Sequence, residues 1–315
     1  MRIKRTEILA IAVLVIALLI APVFVGSYWT YILALWAVMA IAVVGLNIPL
    51  GLGHIYSFGH GAFVLIGAYG TGVAMTMWHW PFLPALLLSL ILAGGIGAII
   101  ARPALRLSDF SLAIVTFSFA HMLFHLIKAT NYTGGPQGIF MPGDTWIAGK
   151  NGLILYYIVM GVAAAAVTGF VSLARSKSGR AMRLAGENPA VAQSLGIRIV
   201  HYKSAAIVLS ALYGAVAGSF MALLTGYVAP EAYSTMLSVN LFAAVAIGGI
   251  GTVTGPLLGA LFIVMIPEVT QSFQNLSQIV YAALFCLIVT VFPRGLVGLM
   301  AFRFRRPVSR TKDRP

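Results

Sequence analysis

The sequence predicts an all-α polytopic membrane protein, on three observations: a shortage of charge, long unbroken apolar runs, and basic residues gathered at the ends of those runs. Of 315 residues, 60% are hydrophobic and 9% are charged. Soluble domains average about 25% charged residues, so this chain has too little polar surface to cover a sphere in water. Its natural solvent is a bilayer, where backbone groups must be satisfied within the chain by helices or closed barrels. The apolar runs are continuous and lack the ten-residue alternation of barrel strands, which selects helices.

The apolar runs lie near 7–25, 29–50, 58–77, 82–101, 110–128, 152–174, 204–225, 236–249, 254–271 and 277–293. They give about ten membrane segments, several shorter than the ~20 residues of a straight crossing. The first follows a basic start, MRIKR, like a signal peptide. Its apolar part is long and no small-x-small cleavage site ends it, so an uncleaved helix is expected. Segment 236–249 and the Gly-rich stretch 51–61 are candidates for broken or re-entrant pieces, which need protein or a water-filled cavity around them. The count is therefore eight to ten crossings. All of 1–315 reads as one transmembrane domain, with a polar loop at 175–203 and a basic tail at 301–315.

The net charge of +13 invites a nucleic-acid partner, but its distribution argues against one. With the N-terminus inside and every segment crossing, 18 of the 20 Lys and Arg fall on the cytoplasmic side, leaving Lys128 and Lys150 outside. That asymmetry is the positive-inside rule. It puts both termini and the 175–203 loop in the cytoplasm, and eight crossings with two re-entrant pieces preserve the same sides. One cysteine, Cys286, lies in an apolar run, so no internal disulfide is possible.

The stretch RLAGENPAVAQSLGIRIVHYKS, 183–204, is soluble in character. Gly186 is placed to end one short helix in a left-handed cap. Asn188 is placed to cap the next, with Pro189 at its first position. Gly196 stops it, giving a helix from Pro189 to Leu195 whose Val191 and Leu195 form a small apolar face at i, i+4. A docking element needs this construction. The other reading of the same residues is a juxtamembrane loop whose basic side chains only set orientation or touch anionic lipid, at ~1 kcal/mol each, and the residues alone favour neither.

These residues and four other stretches resemble one family. SGRAMRLAGENPAVAQSLGIRIVHYKSAAIVLSALYGAVAGSFMA is similar to the cytoplasmic signature of bacterial ABC-importer permeases of the branched-chain amino-acid type, in particular the LivM-like subunit. GLNIPLGLGHIYSFGHGAFVLIGAYG at 45–70, LRLSDFSLAIVTFSFAHMLFHLIKATNYTGGPQGI at 105–139, GGIGTVTGPLLGALFIVMIPE and VFPRGLVGLM agree in the same order. The resemblance implies a permease fold of the branched-chain amino-acid/ribose type in the bacterial inner membrane. It implies a second homologous permease, two ATP-binding subunits and a periplasmic binding protein as partners. It also makes the 183–204 helix similar to a coupling helix seated in the ATPase subunit, with Gly186, Glu187, Asn188 and Gly196 as coupling residues. Glu187 is the only acidic side chain between Arg175 and Lys203 and offers an ion pair to a basic cleft. Many relatives carry another acid where this chain has Pro189-Ala190-Val191-Ala192-Gln193, which weakens the polar part of such docking.

The chain has no phosphate-binding loop, since Ala148-Gly149-Lys150-Asn151 fails the required spacing. No cofactor is therefore expected on it; ATP and Mg belong to the partner subunits. Asn47, Ser57, His60, Thr116, Ser118 and Asn240 are polar at membrane depth and are candidates for the translocation path, because such residues face the bundle interior or a cavity. The resemblance suggests an outer gate at Thr133, Gly134 and Gly135. Glu268 is either a binding-protein contact or a solvated interfacial carboxylate. Ser108 and Asp109 read as a helix N-cap, and the glycines of 51–72 as close-packing positions. A faint echo links 51–61 with 248–259 and hints at internal duplication.

Three function classes compete. One is an importer permease for branched-chain amino acids, or, with the same architecture, for urea or short amides. A lone channel or secondary transporter is disfavoured by the docking loop and by the lack of an intramembrane acid–base pair. A metalloenzyme rests on His121 and His125 alone, and H-E-x-x-H fails because Met122 replaces the Glu. Hydrogen bonding within the bundle is the simpler role for that pair.

Overall fold

The computed structural model describes residues 26–104, 109–142 and 152–270, together with 21, 22, 24 and 283. Most of the 7–25 segment, the 277–293 segment, the 301–315 tail, Ser108, Lys150 and Cys286 lie outside the described residues. The described chain is helical: α1 (Ser27–Gly51), α2 (His60–Thr76), α3 (Phe82–Ala104), α4 (Asp109–Ala129), α5 (Leu153–Arg175), α6 (Lys177–Glu187), α7 (Pro189–Ser194), α8 (Ile199–Thr225), α9 (Thr235–Gly248) and α10 (Gly255–Thr270). Five of these, α1, α3, α4, α5 and α8, are long and apolar enough to cross a bilayer. At 1.5 Å per residue, the 14 residues of α9 reach only ~21 Å, short of a ~30 Å hydrocarbon core.

The fold is built around α8, which packs against α1, α2 and α3. No hydrophobic force draws helices together in lipid, so close backbone approach has to supply the attraction. A Cβ on Gly67 would stand 2.2 Å from the Ala215 carbonyl oxygen, and one on Gly218 would stand 1.9 Å from that of Val64. Larger residues at either position would force α2 and α8 apart. A buried hydroxyl network completes the junction. Thr71 donates to Ser219 at 2.7 Å and lies 2.9 Å from Ser89. Ser89 and Ser219 also donate to backbone carbonyls of Gly67, Ala85 and Ala215.

The all-helical expectation needs one small amendment. Ile139 and Phe140 pair antiparallel with Val228 and Tyr227, giving a two-stranded ladder that ties the 130–142 connection to the one after α8. The polar residues His201, Tyr202 and Lys203 also lie inside α8, which starts at Ile199 and not near 204 as the apolar run suggests. Apolar content marks where a helix meets lipid, whereas backbone hydrogen bonding carries it further into water.

Candidate functional site

The polar loop folds as two short helices. Ser176 caps α6 by accepting from Gly179 N at 3.0 Å, and Met182 and Ala185 anchor α6 against the bundle. Asn188 caps α7 by accepting from Val191 N at 3.2 Å, with Pro189 in the first turn. Gly196 ends the motif at φ +74, a conformation that suits glycine. Val191 and Leu195 are both exposed, and Ala192 is buried beneath them. The capped helix with an open apolar face is thus present, ending at Ser194 with Leu195 as its cap.

Gly186 behaves differently from its expected left-handed cap. It is helical, one residue inside the end of α6. Its missing side chain serves proximity: a Cβ there would lie 2.6 Å from the Gly53 carbonyl oxygen and 2.9 Å from the His54 Cβ. Glu187 then sits 3.7 Å from His54 Nε2, with both side chains about half exposed. His54 occupies the left-handed region at φ +49. No local pattern points to this partner, which precedes Glu187 by more than a hundred residues.

The 52–59 connection that receives α6 is irregular backbone inside protein, with Leu52, Ile55 and Ser57 buried. The last turn of α1, which leads into it, meets the 249–254 connection directly. A Cβ on Gly51 would stand 2.5 Å from the Gly251 Cα. Asn47, fully buried, donates from Nδ2 to the Thr252 carbonyl at 2.9 Å and accepts from Gly251 N at 2.8 Å. The two Gly-rich regions that echo each other in sequence are therefore stapled together by Asn47.

The path candidates divide by environment. Asn47, Ser57, His60 and Thr116 are buried; the polar atoms of Asn47, Ser57 and Thr116 are engaged, whereas His60 Nε2 is buried with no hydrogen-bond partner among the described residues. Ser57 Oγ accepts from Gly59 N. Thr116 Oγ1 accepts from Phe58 N at 3.1 Å and donates to the Leu112 and Ala113 carbonyls. His60 Nδ1 lies 2.9 Å from Ser210 Oγ, and its ring passes between the gaps left by Gly45 and Gly214. Ser118 is exposed and Asn240 half-buried. His121 Nδ1 approaches Thr235 Oγ1 at 3.2 Å, and the His121 and His125 rings stack edge to face. Among the described residues no group of three His, Cys, Asp or Glu is placed to hold a metal.

In the connection after α4, Thr133 Oγ1 bonds the Ile127 and Thr130 carbonyls. Gly134, Gly135 and Gly138 all adopt positive φ, so Thr133-Gly134-Gly135 form a fixed double turn. Glu268 accepts from the Tyr28 hydroxyl. Glu231 accepts from Lys128 Nζ at 2.9 Å, and that ammonium holds its carboxyl below the usual range. Asp109 starts α4.

Long apolar helices around a small-residue core, irregular buried connections and a capped polar element on one side define a polytopic membrane protein. The chain belongs to the family described as branched-chain amino acid transport system / permease component, whose model matches residues 28–289. It is similar to the high-affinity branched-chain amino acid transport system permease protein LivM of Escherichia coli (strain K12), at 28% identity over 94% of this chain and 76% of that protein. LivH of the same strain, described as a permease protein of such a system, is 25% identical over 82% of this chain and 91% of its own length. A probable LivH of Methanocaldococcus jannaschii is 24% identical over 86% and 92%. No solved structure matches the chain.

Proposed function

We propose that this chain is the membrane-spanning permease subunit of an ATP-driven importer, carrying branched-chain amino acids delivered by a periplasmic binding protein. It crosses the bacterial inner membrane eight to ten times with both termini inside. The second permease is a homologous chain, since LivM and LivH of one E. coli strain both resemble this one. Two ATP-binding subunits hold ATP and Mg, and this chain does no chemistry on its cargo.

The observation that carries the reading is α7, a six-residue helix capped at both ends that turns Val191 and Leu195 outward. The basic residues around it support a cytoplasmic position for it. ATP-driven closure of the partner moves α7, and α6 passes that motion through Gly186 and Glu187 to the 52–59 connection. Asn47 and Gly51 join that connection to the 249–254 loop, so both Gly-rich regions respond together.

The test is uptake of labelled leucine and labelled urea by cells with and without the chain, and by Leu195→Asp and Glu187→Arg strains. Deletion should abolish leucine uptake. Leu195→Asp, which alters only the open face of α7, should reproduce the deletion at normal protein level and reduce copurification of the ATP-binding subunits. If urea uptake falls while leucine uptake survives, the cargo is wrong and the importer stands. Full leucine uptake in Leu195→Asp would remove the coupling role.

A further inference from the structure

One face of α4 gathers three exposed polar side chains within a span. Ser118, His121 and His125 stand at i, i+3 and i+7, on one side of the helix, and all three are exposed. Polar side chains within a span face protein or a water-filled cavity because hydrocarbon offers them no partner. Ser118 makes no hydrogen bond among the described residues, although a serine in a helix can bond back to the preceding turn. Its hydroxyl therefore needs water or a solute. Beside it, an open groove of about 590 Å³ runs between α4 and the start of α9, lined by Phe117, Ser118, His121, Met122, Thr235 and Met236.

We propose that this flank of α4 is the wetted wall of the translocation path, with Ser118, His121 and His125 turned toward a small zwitterion that bears an aliphatic side chain. The inference rests on the importer reading and adds to it the face along which cargo moves. The chemistry of the groove suits such a solute. Hydroxyl and imidazole groups hydrate an ammonium and a carboxylate alike, and the groove lining contains no charged side chain to hold either end. A path has to bind weakly enough to release. Phe117, Met122 and Met236 offer an apolar surface to the aliphatic part. The opposite wall is then the second permease subunit, which closes the groove into a path between the two chains.

The test uses the assembled importer in membranes, in a background whose single native cysteine is removed by Cys286→Ala. Ser118→Cys and His121→Cys on α4 are compared with Leu87→Cys and Ile91→Cys on the outer face of α3. Only variants that accumulate to the parental level are scored. A hydrophilic methanethiosulfonate reagent attacks thiolate, which forms in water and not in hydrocarbon, so the α4 thiols should react roughly tenfold or more faster than those of α3. Leucine should slow that reaction, and modification should block leucine uptake. Reaction as slow as on α3 would place the face in lipid or a dry interface and overturn the inference. Fast reaction without effect on uptake would place water there but cargo elsewhere, and would also overturn it. Failure of the parental importer to take up leucine would instead count against the proposed cargo, and the labelling rates alone would still decide whether the face is wetted.

Discussion

α3 and α4 follow one another in the chain, have similar length, and bury the same share, 22%, of their apolar stretch. They place their polar residues in opposite ways. Before its basic end, α3 has one polar residue, Ser89, which is fully buried and bonded to Thr71 and two carbonyls. Its exposed positions are apolar, with Leu87 at 59%, Ile91 at 71% and Ile99 at 73% exposure. α4 buries Thr116 but exposes Ser118, His121 and His125. Equal burial with a different polar pattern sets the two helices apart. The outer face of α3 fits lipid, whereas α4 carries a polar flank of Ser118, His121 and His125 beside apolar positions such as Ile114 and Leu126, and that flank fits water or another chain.

The sharpest way to break this contrast is to put a charge on each face. Ile91→Asp places a carboxylate where lipid is expected, at an insertion cost of about 3 kcal/mol. It should sharply reduce the amount of folded chain in membranes, read by immunoblot after detergent extraction. Met122→Asp, at a position 60% exposed on α4, should leave that amount near the parental level. Equal loss in the two variants would mean that both faces meet lipid.

A smaller effect separates the two serines. Ser89→Ala removes a hydroxyl that bridges α2 and α3, leaving Thr71 with one fewer partner and costing ~1 kcal/mol. Ser118→Ala removes a hydroxyl with no hydrogen bond among the described residues and should leave stability unchanged. Thermal unfolding in detergent should show a lowered midpoint for the first and none for the second. A matching drop in Ser118→Ala would reveal a structural role for that hydroxyl and weaken its assignment to the path.

This contrast was only partly legible in the sequence. The end of the short polar helix was, because Gly196 stops it through a left-handed conformation that few other residues adopt, whereas the start of α8 at Ile199 was not. The Asn188-Pro189 cap was legible for the same local reason. Gly186 was misread because a glycine at a helix end serves either a positive φ or a close approach, and composition does not tell the two apart. The His60–Ser210 and Asn47–Gly251 pairs join residues 150 and 204 positions apart, which no local pattern encodes. Asn47 and Ser118 looked alike as polar residues in apolar runs. Which of them is spent on packing and which is left open depends on neighbours that only the fold supplies.

The smallest effect lies where α4 leaves the membrane. Lys128, in its last turn, donates to Glu231 in the turn before α9, and this hydrogen bond holds the carboxyl below its ordinary value. A carboxylate with a lowered value in the folded state stabilises above its unfolded value and loses that contribution as pH falls through the folded one. The midpoint difference between wild type and Glu231→Gln should therefore be fully present at pH 7 and shrink as pH drops below the ordinary 4.5. Glu231 is exposed and Lys128 partly so, so the pair contributes only about 0–1 kcal/mol and should weaken further in salt. An effect several times larger, insensitive to salt, would show that this end of α4 is shielded from water. The wetted face of the helix would then have to end below Lys128, near His125.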